Sequence, residues 1–282
     1  MSAAALLLWA WTPFGRLAVP ALYEALATRG FTAEGLWLNL GFWRAARSIE
    51  EACPALALRL AEAAGMGPQD EVLDVGFGFA EQDMLWMERI GPRRITGLNI
   101  TPLHVRVGRE RVRRRGLADR IELLEGSATA MPLPDACCDV VTALECAFHF
   151  DTREAFFAEA FRVLRPGGRI ALADIIRAPG GGPAARLSWA AMANRFGVPR
   201  ANAVTRAEYA AQLAAAGFAE VAVAPIGAEV FPGWHAALRE DRALRARLPR
   251  ALRAPAAVLA RLDAARVYAG LDYVLATARK PG

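Results

Sequence analysis

The chain has 282 residues, 55 % of them hydrophobic, and a formal net charge of +5, which suits one large core with a cap rather than a string of small domains. Lys280 is the only lysine, and the arginines are spread through helical stretches apart from the run Arg111 to Arg115, which fits a solvated helix face, so no nucleic-acid partner is expected. Four cysteines (Cys53, Cys137, Cys138, Cys146) without zinc-ligand spacing and only three histidines argue against a metal centre and fit a reducing cytoplasm.

At the N-terminus, Ala3 to Trp11 is apolar, but no basic region precedes it and Pro13 and Arg16 interrupt it before it could span a bilayer. It is expected to form a helix packed on the cap; stable membrane insertion is not expected, and transient interfacial contact with a membrane or an apolar substrate stays open. Further on, short β-rich runs alternate with helical patterns, the signature of a parallel sheet with helices on both faces. Val72 to Val75 is a first strand and Gln82 to Ile90 its helix; Arg94 to Leu98 is a second strand, followed by a helix from His104 to Arg115 that Gly116 closes. Ile121 to Glu125 is a third strand, and Asp139 to Leu144 a fourth, led in by the turn-rich Pro132 to Asp135. Arg153 to Leu164 is an amphipathic helix stopped by Pro166-Gly167-Gly168, and Arg169 to Ile176 is a fifth strand.

After this the alternation loosens. Pro179 to Pro183 leads to a helix over Ala184 to Phe196; Thr205, with Glu208 three residues on, starts another that Gly217 ends; Ala219 to Pro225 and Leu271 to Ala278 are two further strands. The stretch from about Glu229 to Val267 is helical and crosses the sheet's edge as a lid. The expected organisation is an N-terminal helical segment covering the site (1–66), a ligand-binding core (67–178), a cap of helices with strand 219–225 embedded in it (179–267), and a last core strand (268–282).

Ligands of an open parallel sheet bind beyond the carboxyl ends of its strands. After the first strand, Gly76 and Gly78 in Asp74-Val75-Gly76-Phe77-Gly78 let backbone amides approach a ligand at the start of a helix. A dinucleotide site prefers glycine where Glu81 stands, which disfavours pyrophosphate and a nicotinamide oxidoreductase. A cofactor with an amino-acid tail tolerates Glu81 and can use Asp74 to organise the turn or meet its ammonium group. Asn99 ends the second strand, where an acid commonly accepts from ribose; it can accept one such bond and donate another. Ser127 and Ala128, after the third strand, offer backbone and a hydroxyl to an adenine edge. The fourth strand runs into Glu145 and His149; an imidazole titrating near neutrality can take a proton from a hydroxyl. Asp174, at the end of the fifth strand, could orient His149 or stabilise its cation, and Glu145 could hold the loop. Each of these also has a purely structural reading as a capping, turn or core residue.

Taken in order, Asp74 to Gly78, Pro132-Leu133-Pro134 and Val163 to Gly168 resemble class I S-adenosylmethionine methyltransferases. Glu34 to Trp43 (EGLWLNLGFW), Asp70 to Gly78, Leu144 to His149 and Ala276 to Gly282 resemble, within them, the erythromycin mycarosyl O-methyltransferase group, which methylates hydroxyls on polyketides and their sugars. The likeness runs from residue 22 to 282 and is strongest from 34 to 177, weakest over the cap. It implies an α/β, Rossmann-like fold with a seven-stranded, mostly parallel sheet and a helical cap. It further implies that Gly41 and Trp43 border the cofactor, that Gly76 and Gly78 cradle its methionine part, that Asn99, Ser127 and Ala128 border its adenosine, and that His149 is the base. Asp74, Ile100 and His104 complete the candidate cofactor-binding set.

The resulting expectation is an O-methyltransferase for a bulky apolar small molecule. Two alternatives remain. One is C-methylation of an isoprenoid, with Glu145 or Asp174 removing a proton and the aromatics Trp9, Trp11, Phe14, Phe31, Trp37, Phe42 and Trp43 receiving a terpenoid as readily as a macrolide. The other is a catalytically silent binding protein. The oligomeric state is not legible.

Overall fold

In the computed structural model, Tyr23 and residues 30–282 are described; the apolar run Ala3 to Trp11 and the aromatics Trp9, Trp11 and Phe14 lie outside them. Within the segment expected to be helical up to residue 66, Tyr23 is helical, residues 30–48 form an irregular strap, and α1 spans Ile49–Ala63. The strap's amides bond side chains in place of a helical ladder: Ala33 N donates to Glu50, Leu36 N to Glu81, Leu40 N to Glu145 and Gly41 N to Asn39 Oδ1. Ser48 caps α1, its hydroxyl accepting from Glu51 N.

The core then alternates as β1 (Glu71–Val75), α2 (Glu81–Arg89), β2 (Arg94–Asn99), α3 (Pro102–Arg114), β3 (Ile121–Glu125), β4 (Cys138–Leu144), α4 (Arg153–Val163) and β5 (Leu164–Arg177). The chain continues with α5 (Pro183–Arg195), α6 (Arg206–Ala215), β6 (Ala219–Pro225), α7 (Gly227–Glu240), α8 (Arg242–Arg247), α9 (Arg250–Leu259), α10 (Ala264–Val267) and β7 (Leu271–Arg279). One seven-stranded sheet results, in the order β3-β2-β1-β4-β5-β7-β6, parallel except where β7 runs antiparallel to β5 and β6.

Strand side chains alternate between faces, and the central strands are buried on both, while edge strand β6 is largely exposed. Val72, Ile95, Val140 and Ala171 point into a core shared with Leu56 and Leu60 of α1 and Trp86 of α2. Their neighbours Leu73, Val141 and Leu172 point into the opposite core, with Phe156 and Phe157 of α4 and Tyr209 and Leu213 of α6. The Thr205–Glu208 capping box is present. The fifth strand is longer than its sequence suggests: Leu164 pairs with Cys138, and the register slips before Val140 pairs with Arg169. Pro166-Gly167-Gly168 is therefore an irregularity within β5, with Gly167 at φ +77°, and not a connection ahead of it. Arg113 and Arg114 of the arginine run are solvated and pair with Glu110, whereas Arg111 is turned inward onto Glu81. No helix among the described residues is long and apolar enough to cross a membrane.

Candidate functional site

Strand order reverses between β1 and β4, and a cavity of ≈ 320 Å³ opens at the carboxyl ends of β1, β2 and β4, covered by strap residues Leu36 to Asn39. Gly76 and Gly78 lie on its wall with φ of +82° and +55°. A Cβ on Gly76 would sit 2.5 Å from Cys146 Sγ, so glycine is needed there for space as well as for conformation. Phe77 between them turns away from the cavity and is fully buried; a Cβ on Gly97 of β2 would come within 2.7 Å of its ring.

Asp74 is behind the turn rather than on the cavity wall. Its carboxyl accepts from Thr142 Oγ1 (2.8 Å) and Gln82 Nε2 (3.0 Å), tying β1 to β4 and to the start of α2. Burial lifts it to about 7, and the buried Asp83 beside it is pushed up as well. Of the two uses foreseen for Asp74, organising the turn is the one its contacts match.

Asn99, Ile100, His104, Ser127 and Ala128 all line the cavity, as their places after β2 and β3 predict. The Asn99 Oδ1 is taken by Thr101 N (2.9 Å), which leaves its amide as a donor toward the cavity. Burial lowers His104 to about 4, so its ring is neutral; its Nε2 has no hydrogen-bond partner among the described residues. Ser127 Oγ lies 3.0 Å from Thr129 Oγ1 in a tight local turn.

His149 ends a 3-10 turn (Ala147–His149) after β4 and also lines the cavity. Its ring lies against Phe148 (4.1 Å between centroids), Tyr23 (5.4 Å) and Phe196 (6.2 Å). Burial in these surroundings lowers its pKa to about 3, against an opposing contact with the Phe196 backbone, so the imidazole is neutral throughout the physiological range instead of titrating near neutrality. Its Nε2 is 2.9 Å from Tyr23 Oη, whose own pKa burial raises; in the tautomer that carries its proton on Nδ1, consistent with the contact to the Phe196 backbone, the phenol donates and Nε2 accepts.

Asp174 does not serve His149. Its Oδ2 accepts from Arg153 Nε (2.8 Å) with both side chains at 0 % exposure, and it takes further bonds from Ile175 N (2.9 Å) and Tyr209 Oη (3.3 Å). A guanidinium withdrawn from water needs a counter-charge, and Arg153 claims Asp174 for that purpose. Glu145, by contrast, lies on the cavity wall; its Oε1 accepts from Leu40 N (2.9 Å) and Tyr273 Oη (2.6 Å), and burial lifts its pKa to about 7.

Gly41 and Trp43 flank the cavity's cover without lining it. Gly41 packs on Ala52 of α1, while Trp43 donates Nε1–H to Leu40 O (2.8 Å) and packs against Gly233 of α7. The strap residues on the wall are instead Leu36, Trp37, Leu38 and Asn39. Sequence reasoning named Trp37 among the entry aromatics and missed Leu36, Leu38 and Asn39, along with Tyr23, Phe79 and Gln82. The EGLWLNLGFW motif marks the right segment, and nothing in its spacing tells which of its residues face inward. Among the described residues no cluster of His, Cys, Asp and Glu could hold a metal ion.

The arrangement offers a glycine cradle, a donor amide at the second strand end, a polar loop at the third and a neutral imidazole at the fourth, under an apolar cover. A methyltransferase domain model matches residues 73–172. The erythromycin 3''-O-methyltransferase of Saccharopolyspora erythraea is 40 % identical over 89 % of this chain and 86 % of its own length. The 27-O-demethylrifamycin SV methyltransferase of Amycolatopsis mediterranei is 32 % identical over 92 % and 95 %. Among solved structures, geranyl diphosphate methyltransferase in complex with S-adenosylmethionine overlays 87 % of this chain and all of its own at a TM-score of 0.70 and 19 % identity, a likeness of fold.

Proposed function

The chain belongs to the S-adenosylmethionine-dependent methyltransferases, and from that premise we propose that it methylates a hydroxyl of a bulky apolar secondary metabolite, a polyketide, a macrolide or its sugar, with His149 receiving the hydroxyl's proton. The residues present fit the cofactor: Gly76 leaves room that a Cβ would fill, Asn99 and Ser127 on the cavity wall would hold its ribose and adenine, and Leu36 to Asn39 cover the cavity. When bound, S-adenosylmethionine supplies a methyl group already made electrophilic by its sulfonium.

The protein then has to hold the acceptor oxygen in line with that methyl and keep water out. Leu36, Leu38, Phe79 and Phe150 give the wall its apolar surface. The observation that carries the proposal is the Tyr23 hydroxyl, 2.9 Å from His149 Nε2. A buried, neutral imidazole on the cavity wall already accepts one hydroxyl, and an acceptor hydroxyl in that place gives its proton to Nε2 as its oxygen takes the methyl.

Transfer of an isotopically labelled methyl group from the cofactor to a macrolide or polyketide alcohol, read by mass spectrometry, tests the reaction; labelled product that carries the methyl on carbon overturns it. His149→Ala is expected to lower kcat about 10²- to 10⁴-fold, far more than Glu145→Gln. The reverse order favours C-methylation of an isoprenoid, with Glu145 as base. Against that rival stands the engagement of Glu145 Oε1 by Leu40 and Tyr273. Relatives that match nearly end to end are enzymes, and so is this chain, which sets aside the silent binding protein.

A further inference from the structure

Proton transfer to His149 leaves one titratable group on the cavity wall without a role. Glu145 holds a left-handed backbone conformation (φ +52°), unfavourable for a residue other than glycine and maintained only where surrounding contacts offset it. Among the described residues its two bonds both fall on Oε1, one from the strap at Leu40 N and one from β7 at Tyr273 Oη. Among the described residues Oε2 has no partner, and the surface the side chain retains opens into the cavity beside Gly76 and Cys146. Among the described residues the titratable groups that interact with it are acids: Asp174 from β5, Tyr273 from β7, Cys53 from α1, Cys146 next in sequence, and Tyr23. Asp174 is balanced by Arg153. No cationic side chain among the described residues pairs with Glu145.

The two ligands between which a methyltransferase site alternates share the same amino-acid tail and adenosine and differ by one charge. S-adenosylmethionine carries a permanent sulfonium; S-adenosylhomocysteine has a neutral thioether. We propose that Glu145 is the residue by which this site prefers the charged cofactor to the neutral product, a role that rests on the methyltransferase reading and concerns binding rather than proton abstraction.

Burial lifts the Glu145 carboxyl to about 7, so near neutrality the empty site is a mixture of acid and carboxylate. Binding of the cationic ligand favours the carboxylate and releases a proton to solvent. With S-adenosylhomocysteine the sulfonium charge is gone, and the carboxylate takes a proton back. A protonated Glu145 is the weaker acceptor for Leu40 N, so the strap is held more loosely over product than over cofactor.

Isothermal titration of the whole chain with each ligand from pH 6 to pH 8 tests this. For a group that titrates at about 7, the dissociation constant of S-adenosylmethionine is expected to fall roughly tenfold across that range, while that of S-adenosylhomocysteine stays level. Titrations in two buffers of different ionisation enthalpy at pH 6.5 should show proton release with the first ligand only. Glu145→Gln keeps an oxygen for Leu40 and Tyr273, and is expected to flatten the first profile and shrink the gap between the two ligands. Asp74 also lies near 7, so Asp74→Asn must leave the wild-type profile in place. The inference is overturned if both ligands follow one pH profile in the wild-type chain, if Glu145→Gln keeps that profile, or if Asp74→Asn abolishes it. Failure of both ligands to bind removes the cofactor assignment and the inference with it.

Discussion

β4 and β5 lie side by side in the sheet, Leu144 opposite Ala173, and the next position of each is an acid, Glu145 half-buried and Asp174 fully buried. Asp174 is sealed from solvent, paired with Arg153, and bonded by Tyr209 and the Ile175 amide. Glu145 faces a cavity and, among the described residues, has one oxygen engaged and no cation beside it. Both are withdrawn from bulk solvent, and that alone does not assign their roles. The counter-charge does: a carboxylate neutralised from within is part of the frame, and one left uncompensated at a cavity wall awaits charge from outside.

The sharpest way to break this comparison is to remove the counter-charge. Arg153→Met strands Asp174 inside the protein and is expected to cost about 3–5 kcal/mol of stability, measured by urea unfolding, while cofactor affinity of the folded chain changes little. A loss under about 1 kcal/mol would mean that the pair is not what holds this region. Next in size is Gly76→Ala, on the Glu145 side. Its φ of +82° and the 2.5 Å approach to Cys146 Sγ combine backbone strain with overpacking, about 2–4 kcal/mol together. Adding Cys146→Ala should recover the steric part and leave the conformational one.

A pH dependence separates the two acids more finely. The Glu145 carboxyl titrates at about 7 in the folded chain against 4.5 as its ordinary value. Between those values the folded chain binds more protons than the unfolded one, so this group's contribution to stability falls as pH rises through the window and levels off above it. Glu145→Gln removes the fall. Relative to wild type without ligand, the variant should be unchanged near pH 4 and more stable by about 1–3 kcal/mol at pH 8. Equal pH profiles for the two proteins would show that the carboxyl is already compensated.

The parts of this site that were legible in the sequence are those set by local periodicity. The glycine turn, the strand ends at Asn99 and Ser127 and the position of His149 each follow from a strand recognised by its own residues. What was not legible depends on partners distant in sequence. Arg153 lies in a helix recognisable only as amphipathic, 21 positions from Asp174, so Asp174 looked available to His149. The inward-facing residues of the strap are chosen by Glu81 and Glu145, 45 and 105 positions away from the amides they bind, and no spacing rule within EGLWLNLGFW encodes that. The protonation state of His149 was misjudged for the same reason, because the rings that desolvate it include Tyr23 and Phe196 from either side of the chain.

The smallest expected effect concerns Tyr23, which among the described residues is the group bonded to His149 Nε2. Neither Asp174 nor Glu145 reaches the imidazole, so the proton it receives is not passed to a carboxylate, and Nε2 must be given up by Tyr23 before an acceptor hydroxyl can use it. Tyr23→Phe keeps the ring contacts with His104 and His149 and deletes only the hydroxyl. A neutral hydrogen bond of this kind is worth about 1 kcal/mol net. Losing it from the free enzyme should therefore lower the acceptor's KM roughly fivefold and leave kcat unchanged. If Tyr23 stays in place and relays the proton, kcat falls instead and KM holds. The split between the two constants thus decides whether the phenol stands in for the substrate's hydroxyl or works beside it, and whether the β4 side of the sheet handles the proton with the imidazole alone.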